Sequence, residues 1–276
     1  TDHGNDYLPY IEGKTDTPMP LFVKPNRKLS VQDVKDMMRD HYEGTPLDIS
    51  NDFGAGPYHT PYRLSPLNFK VGDKEYFNER PISTQQSGFV FVAQMRANKP
   101  DPIGGVLWFG VDDANMAVFT PVYCCATKAP VCYTRVDGAD YITFSWNSAF
   151  WIFNWVSNMV YPRYSLMIDD VRATQKELET TFNNAQEGIE EMAARLLAKD
   201  KSAAVEFLTN YTNMTAQSTF DTWKQLGTFL IVKRVKDGKF ERNSIGQPAG
   251  VIRPGYPKEF LEEYVKQTGK RYEVPE

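Results

Sequence analysis

Few residues of this sequence belong to types or patterns that indicate a chemical function by themselves. Among its 276 residues are three histidines, His3, His41 and His59, which lie far apart and show no metal-ligand spacing. No HExxH, CxxC, GxSxG, Walker or dinucleotide-binding motif occurs. We therefore predict no metal site, and no motif assigns the chain to one of those enzyme classes.

Cysteine is scarce as well. Its three residues, Cys124, Cys125 and Cys132, form an odd set in which two are adjacent. A disulfide between neighbouring cysteines is strained, so the adjacent pair is poorly placed to form one. We predict that all three are small buried apolar residues near a strand end.

Neither charge nor hydrophobicity is concentrated along the chain. The formal net charge is −4, and no run of Lys or Arg is long enough to follow a phosphate backbone. This argues against nucleic acid as a partner. No apolar segment reaches the roughly 18–20 residues that span a bilayer, since Asn154 and Asn158 interrupt the longest candidate. We predict no membrane partner.

The segment 80–125 is the most informative part of the sequence. It contains three short apolar runs separated by the turn-forming stretches 98–102 and 112–115, and these runs are Phe89–Met95, Gly105–Val111 and 117–122. The connections are too short for a crossover helix, so we predict an antiparallel meander of three strands. Consecutive apolar residues in the first two runs predict that both faces of this sheet are covered.

The remaining patterns predict an α+β protein in two parts. Residues 1–145 form a loop-rich segment with one helix and the meander, and residues 146–276 form a mainly helical layer with a C-terminal strand and tail. Helices are predicted at 31–42, with Ser30 and Asp33 as a capping box, and at Ala149–Val160, 165–198, 203–226 and 257–267. Further strands are predicted at 130–133, 141–144 and 229–235, a turn at 236–239, and a long loop at 44–79.

Three arginines and a glutamine are the candidate functional residues. Arg63 lies in the Gly/Pro-rich loop, Arg80 just before the meander, and Arg96 at the end of its first strand. An arginine beside a buried sheet needs an acidic partner or a ligand carboxylate, so each is either a loop-fixing ion pair or a substrate-binding residue. Gln85, at the start of the first strand, either points its donors into a cleft or is an ordinary polar residue there. We take Arg63, Arg80 and Gln85 as substrate-binding candidates.

Other chemically suggestive residues are better explained by structure. Neighbouring side chains diverge, so the pairs Asp112-Asp113 and Asp169-Asp170 are predicted to be a turn and a helix surface, not an acid–base dyad. Thr1 could in principle be a nucleophile. Such a nucleophile must begin a strand, and irregular polar sequence follows Thr1. We therefore expect Thr1 to be a boundary of the sequence, either a processing site or an arbitrary cut.

Five stretches together resemble one protein family. They are HYEGTPLD (41–48), GAGPYHTPYR (54–63), ERPISTQQSGFVFVAQMR (79–96), GGVLWFGVDDANMAVFTPVY (104–123) and FSWNSAFWIFNWV (144–156). Over about residues 30–200 they resemble the C-terminal half of the dipeptidase A family. Its members are N-terminal-nucleophile cysteine peptidases related to penicillin V acylases and bile-salt hydrolases.

The resemblance implies an αββα four-layer sandwich and hydrolysis of dipeptide bonds without an external cofactor. In that family an N-terminal cysteine attacks the scissile carbonyl with its own α-amine as the base. No cysteine of this chain falls at that position, so we expect no catalytic residue here. The nucleophile is expected in an upstream half of the same polypeptide, which would be the partner of this chain.

The resemblance also bears on activity, oligomeric state and compartment. This chain alone is expected to be inactive. Related acylases use an arginine near the nucleophile, and Arg63 and Arg80 are the candidates for that role. A homo-oligomer is left open, as is the compartment, since the thiols fit either a bacterial cytoplasmic or a secreted, periplasmic enzyme.

Two alternatives accompany the dipeptidase hypothesis. One is an amidase or acylase that acts on a non-peptide amide of the penicillin or bile-salt type. The other is a non-catalytic ligand-binding or structural domain. An upstream stretch that begins in a mature cysteine would favour the enzyme hypotheses, and a reading frame that starts at Thr1 would contradict the dipeptidase hypothesis.

Overall fold

A computed structural model describes residues 4–64, 68–234 and 238–275 of the chain, and these form an α+β structure. The strands are β1 (Asn68–Val71), β2 (Lys74–Phe77), β3 (Phe89–Met95), β4 (Gly105–Val111), β5 (Thr120–Tyr123), β6 (Lys239–Arg242) and β7 (Pro248–Ile252). The helices are α1 (Leu8–Ile11), α2 (Val31–Met38), α3 (Asp101–Gly104), α4 (Ala149–Val160), α5 (Tyr164–Leu197), α6 (Lys201–Lys233) and α7 (Lys258–Thr268).

The predicted meander is confirmed. Strands β3, β4 and β5 form one antiparallel sheet in that order, and β3 and β4 have the predicted bounds. The third strand begins later than predicted, at Thr120, because residues 114–116 form a turn in which the Met116 amide donates to the Asp113 carbonyl at 3.0 Å. The sheet therefore has a fixed register, with Phe91 opposite Phe109 and Val92 opposite Trp108.

One face of this sheet is covered within the described residues and the other is open at β3. Val90 and Val92 are buried, whereas Phe89, Phe91 and Met95 are 63%, 49% and 71% exposed. The described residues therefore cover only one face of β3, and a cover for the other face stays a prediction. Helix α2 packs on the Val92 side, where Lys35 contacts the Trp108 ring. On the other side Phe109 is half-buried, and its ring contacts that of Tyr133 with centroids 5.4 Å apart. We call the residues Phe89, Phe91, Met95 and Phe109 the open sheet face.

Helix α2 begins as predicted and ends early. The Ser30 side chain accepts from the Asp33 amide and the Asp33 carboxylate accepts from the Ser30 amide, so the predicted capping box is confirmed. The helix stops at Met38 because Asp40 Oδ1 accepts from the Tyr42 amide at 2.7 Å. Tyr42 itself has a left-handed φ of 63°.

Helix α4 has the predicted bounds, and α5 and α6 are close to prediction at their starts. The strand predicted at 229–235 is wrong, because residues 229–233 continue α6. Continuation buries Leu230 one turn beyond Leu226 and lets Lys233 Nζ reach Asp170 of α5 at 2.6 Å. These tertiary contacts outweigh the strand preference of the sequence. Residues 235–237 of the predicted strand and turn lie outside the described residues.

Short elements account for the other differences. Two exposed hairpins, β1–β2 and β6–β7, were not predicted, and the first lies inside the predicted loop 44–79. The predicted strands at 130–133 and 141–144 are wrong. A short 3₁₀ helix, Val131–Tyr133, replaces the first, and a single bridge between Asp140 and Thr143 replaces the second.

The last helix lies close to its predicted position, and the cysteines are less buried than predicted. Helix α7 is shifted by one residue from the predicted 257–267 and follows Pro257 directly. All three cysteines are free thiols, but only Cys132 is buried, Cys125 is half-buried and Cys124 is exposed. The prediction of three buried cysteines is therefore confirmed for Cys132 alone. The division of the chain at 145/146 stays a prediction. Within the described residues no helix is long and apolar enough to cross a membrane.

The core joins the sheet to the long helices through aromatic packing. The Phe153 and Trp223 rings stack with centroids 4.7 Å apart, which fixes α4 against α6. Gly227 lies in the same contact, where the Trp155 ring comes so close that a Cβ at Gly227 would lie 2.2 Å from it. Only glycine leaves room for the ring at this crossing.

Gly227→Ala is expected to lower the free energy of unfolding by about 1–3 kcal/mol, because the added methyl overpacks this contact. Gly188→Ala is the matched control. Gly188 is an exposed glycine of α5 with open space around its Cα. There the same change should stabilise by up to about 1 kcal/mol through helix propensity. Chemical denaturation measures both, and equal shifts in the two variants would contradict the packing described.

A lysine lies inside the covered face of the sheet. Lys35 of α2 is fully buried, and its Nζ lies 3.6 Å from the Trp108 ring centroid without a hydrogen-bond partner in the described part of the chain. Burial lowers the pKa of Lys35 to about 8, against a partial opposing effect of Glu179 and Asp36. The Trp108 ring face favours the charged form of Lys35, and burial disfavours it.

Lys35→Met is expected to stabilise the protein by about 2 kcal/mol at pH 7, because it removes a buried charge and conserves volume. The pKa of Lys35 in the folded state is below the usual 10.5, so the unfolded state binds the proton more tightly. The wild-type free energy of unfolding therefore rises between about pH 8 and 10.5. The advantage of the variant should shrink over that range.

Thermal unfolding of the Lys35→Met variant and wild type at pH 7 and pH 9.5 measures this difference. Lys28→Met, at an exposed position, is the control and should change little at either pH. A Lys35→Met variant that is less stable at pH 7, or whose advantage does not depend on pH, would contradict the assignment of a destabilising buried charge.

Candidate active site

The residues predicted to be functional meet where β3 begins and β4 ends. The Asp112 amide donates to the Gly88 carbonyl at 2.9 Å and joins these two strand ends. The Gln85 Nε2 donates to the carbonyl of Arg63, which brings the loop before β1 to the same place. We call this region, with Arg63, Arg80 and Gln85 at its centre, the strand-end site.

Arg63 is buried and surrounded by acceptors. It is 7% exposed. Its Nε donates to Glu79 at 3.1 Å, Nη1 to the Ile49 carbonyl at 3.1 Å, and Nη2 to both Asp52 and Glu79. The guanidinium thus holds together three segments of the loop between α2 and β3. This geometry is that of the loop-fixing ion pair, and it leaves a direct role in substrate binding as a proposal.

Arg80 has a different environment. Its Nη1 donates to Gln86 Oε1, and its buried Nε has no hydrogen-bond partner in the described residues. No ion pair of Arg80 forms within 4–64, 68–234 and 238–275. The side chain lines a cavity of about 630 Å³ together with Leu47, Asp48 and Phe77. A guanidinium on a cavity wall without a carboxylate partner is suited to an anionic ligand.

Gln85 links the segment before β3 to the loop that contains Arg63. Besides its bond to the Arg63 carbonyl, its Oε1 accepts from Thr84 Oγ1 at 3.3 Å. The structure therefore brings Gln85 and Arg63 together directly. It places Arg80 next to Gln86, in the segment just before β3.

The buried carboxylate of Asp113 anchors the segments next to Arg63 and Arg80. Asp113 is fully buried and accepts hydrogen bonds from the hydroxyls of Tyr62 and Ser83 and, at 3.2 Å, from the Asn115 amide. Tyr161 adds a long contact at 3.4 Å. Burial and the nearby Asp113 charge raise the pKa of Tyr62 well above its usual value, so the phenol stays a donor. Tyr62 directly precedes Arg63, and Ser83 follows Arg80 by three residues. Their hydrogen bonds to Asp113 therefore hold both arginine-bearing segments.

The neighbouring carboxylate has different partners. Asp112 has a left-handed φ of 71° and accepts from Ser157 Oγ at 2.6 Å and Asn154 Nδ2 at 3.1 Å. Burial raises the pKa of Asp112 to about 6. The two carboxylates therefore have separate partners. Asp112 accepts hydrogen bonds from α4, and Asp113 accepts them from the loops that contain Tyr62 and Ser83. This arrangement agrees with the predicted turn and with a structural role for the pair.

The remaining polar clusters lie away from the strand-end site. Arg96 forms an ion pair with the buried Glu190 at 2.6 Å, so the ion-pair alternative is confirmed for this arginine. Asp170 of the second acidic pair binds Lys233 across α5 and α6. In the described ranges no group of three or more His, Cys, Asp or Glu side chains is arranged to hold a metal ion.

Sequence reasoning did not identify Tyr62, Ser83 and Asn115 as parts of the site. They are ordinary polar residues in loops, and only the folded chain brings them to one carboxylate. The available signal was the position of Asp113 two residues after the end of β4, a strand that is apolar on both faces. A carboxylate there is buried with the strand, and buried carboxylates need donors.

Comparison with known proteins defines the class as a peptidase. A sequence model described as peptidase family C69 matches residues 3–177, which is more than half of the chain. The chain belongs to peptidase family C69. The resemblance to dipeptidases derived from the five motifs is thereby confirmed at the level of the family.

Curated relatives are distant and longer. A protein named "Probable dipeptidase B" from Lactococcus lactis subsp. lactis (strain IL1403) is 24% identical over 216 residues, 78% of this chain and 40% of the relative. "Probable dipeptidase" from Latilactobacillus sakei is 26% identical over 206 residues, 72% of this chain and 39% of the relative. "Dipeptidase A" from Lactobacillus helveticus is 26% identical over 137 residues, 50% of this chain and 24% of the relative. The chain thus spans at most about 40% of the length of these relatives.

Proposed function

We propose that this chain is the C-terminal portion of a dipeptidase whose N-terminal cysteine nucleophile lies in an upstream segment. The observation that carries the proposal is the open sheet face. Phe89, Phe91 and Met95 expose apolar surface on one side of a strand whose other side is core. Contiguous apolar surface of this kind marks a contact with another layer of protein. Membership of family C69 and the names of the curated relatives favour a dipeptidase as the whole.

The proposed architecture is an αββα sandwich completed by the upstream segment. Its sheet stacks on the open sheet face at the usual spacing of about 10 Å between packed sheets. The layer formed by α5 and α6 covers the opposite face of the same sheet. The division of this chain into 1–145 and 146–276 corresponds in this proposal to the sheet-bearing part and the helical layer.

The proposed reaction follows from the nucleophile. The thiolate of the upstream cysteine attacks the carbonyl carbon of the dipeptide bond, and its own α-amine accepts the thiol proton. The tetrahedral oxyanion is stabilised by hydrogen-bond donors until the C–N bond breaks and the C-terminal amino acid leaves with that proton. Water then hydrolyses the thioester and releases the N-terminal amino acid. This reaction uses no external cofactor.

The role of this chain is to form the wall of the substrate cleft. Arg63, Arg80 and Gln85 are proposed for that wall, which the Asp113 network supports from behind. An amidase that cleaves a penicillin-type or bile-salt-type amide would use the same chemistry. A non-catalytic domain would show none.

A substrate panel tests the proposal. The complete protein that contains this chain should hydrolyse unmodified dipeptides at least about tenfold faster, in kcat/KM, than tripeptides, penicillin V or a glycine-conjugated bile salt. Replacing the upstream N-terminal cysteine by alanine should abolish turnover. A preference for the acylated amides would select the amidase alternative, and no hydrolysis of any substrate would select the non-catalytic domain.

A further inference from the structure

The two arginines of the strand-end site differ in how much of their hydrogen-bonding capacity is already used. Arg63 makes four hydrogen bonds, which occupy four of the five N–H groups of a guanidinium. Its acceptors are the Asp52 and Glu79 carboxylates and the Ile49 carbonyl. Its charge is neutralised, and almost none of its surface reaches solvent.

Arg80 is the complementary case. Its single side-chain hydrogen bond goes to the neutral amide of Gln86, and the buried Nε–H has no partner in the described segments. A half-buried guanidinium that lacks an anion and leaves a donor unpaired is costly to the fold. An anionic ligand would supply both the acceptor and the counter-charge that this donor set lacks.

The carboxylates that line the same cavity are bound to other groups. Asp48 accepts from the Gly44 amide, from Ser50 and from Asn51. Asp52 and Glu79 form ion pairs with the buried Arg63. The cavity of about 630 Å³ therefore presents one uncommitted cation beside several carboxylates. A ligand with both a carboxylate and an ammonium group matches this pattern better than a simple anion.

We propose that Arg80 binds the free C-terminal carboxylate of the dipeptide substrate, and that Arg63 is a positioning residue that holds Asp52 and Glu79 in the cavity wall. The proposal rests on the proposed function and extends it to the arginine that determines specificity. The planar fork of Arg80 fits a carboxylate in bidentate fashion once the Gln86 contact yields. The acidic side of the cavity then faces the ammonium end of the substrate.

The test uses the complete protein with a dipeptide and with the C-terminal amide of the same dipeptide, which lacks the carboxylate charge. Arg80→Gln should raise KM for the dipeptide by about 10- to 100-fold, the effect of losing a charge-assisted hydrogen-bond pair. It should leave KM for the amide unchanged. Arg80→Lys should restore part of the affinity for the dipeptide alone.

Two further variants are matched to these. Arg63→Gln should lower the unfolding temperature and reduce kcat/KM for both substrates by the same factor, because it releases the wall without touching the carboxylate. Arg253→Gln, at an exposed position, should change neither substrate. Equal KM changes for dipeptide and amide in Arg80→Gln, or a loss of discrimination in Arg63→Gln instead, would overturn the assignment.

Calorimetric titration of the dipeptide into forms of these proteins whose upstream N-terminal cysteine is replaced by alanine, beside turnover by the unaltered forms, separates this proposal from the proposed function. A complete protein that binds the dipeptide through Arg80 and does not hydrolyse it would contradict the dipeptidase proposal alone. An active dipeptidase in which Arg80→Gln does not weaken binding would contradict the Arg80 proposal alone. A protein that neither binds nor cleaves dipeptides would contradict both.

Discussion

Asp113→Ala is expected to lower the free energy of unfolding by about 3–5 kcal/mol. The carboxylate is fully buried and accepts from Tyr62, Ser83 and the Asn115 amide. Alanine leaves the Tyr62 and Ser83 hydroxyls buried without this acceptor, whereas the Asn115 amide keeps its 2.8 Å hydrogen bond to Ser83 Oγ. Chemical denaturation followed by circular dichroism measures the loss. In the complete protein of the proposed function, the variant should also reduce activity, because the 62–63 and 80–87 segments lose their common anchor.

The control for this variant is Asp16→Ala, at an exposed position, which should stay within about 0.5 kcal/mol of wild type. Asp113→Asn should fall between the two, because an amide oxygen still accepts while the amide nitrogen meets a donor. If Asp113→Ala unfolded at the wild-type denaturant concentration, Asp113 could not be the buried anchor described.

Phe91→Asp is expected to have little effect on the isolated chain and a large effect on the complete protein. In the isolated chain Phe91 is 49% exposed, so the substitution should change stability by no more than about 1 kcal/mol. In the complete protein the proposed upstream sheet covers this position. A buried, unpaired carboxylate there should reduce activity by about 100-fold or more.

Phe22→Asp is the matched control, since Phe22 is 87% exposed and belongs to no strand. It should leave the activity of the complete protein unchanged. A complete protein in which Phe91→Asp and Phe22→Asp behave alike would show that the open sheet face has no covering layer. Measuring stability of each variant in both the isolated chain and the complete protein distinguishes loss of docking from loss of fold.

Local structure was largely readable from the sequence wherever pattern and burial agree. Strands β3 and β4 and helix α4 have the predicted bounds, because apolar runs of fitting length lie between strong turn and cap signals. The capping box at Ser30 was predictable from residues three apart. The end of α6 was not, because its strand-like residues are held helical by contacts with α5 that are distant in sequence.

The candidate site was predictable only in part, for a similar reason. Arg63, Arg80 and Gln85 were identifiable as polar residues next to an apolar sheet. Which arginine is neutralised depended on Asp52 and Glu79 reaching Arg63, and a sequence does not reveal such pairings. Apolar residues on both faces of β3 indicated a covering layer on each side, and the pattern cannot tell whether the described chain supplies it.

The most direct test of the central claim is complementation. The upstream segment that begins in the mature cysteine and the present chain would be expressed separately, mixed, and assayed against a dipeptide. We expect no turnover from this chain alone and recovery of dipeptidase activity on mixing, with none when the cysteine is replaced by alanine. Turnover by this chain alone, or undiminished turnover by the upstream segment without it, would contradict the account.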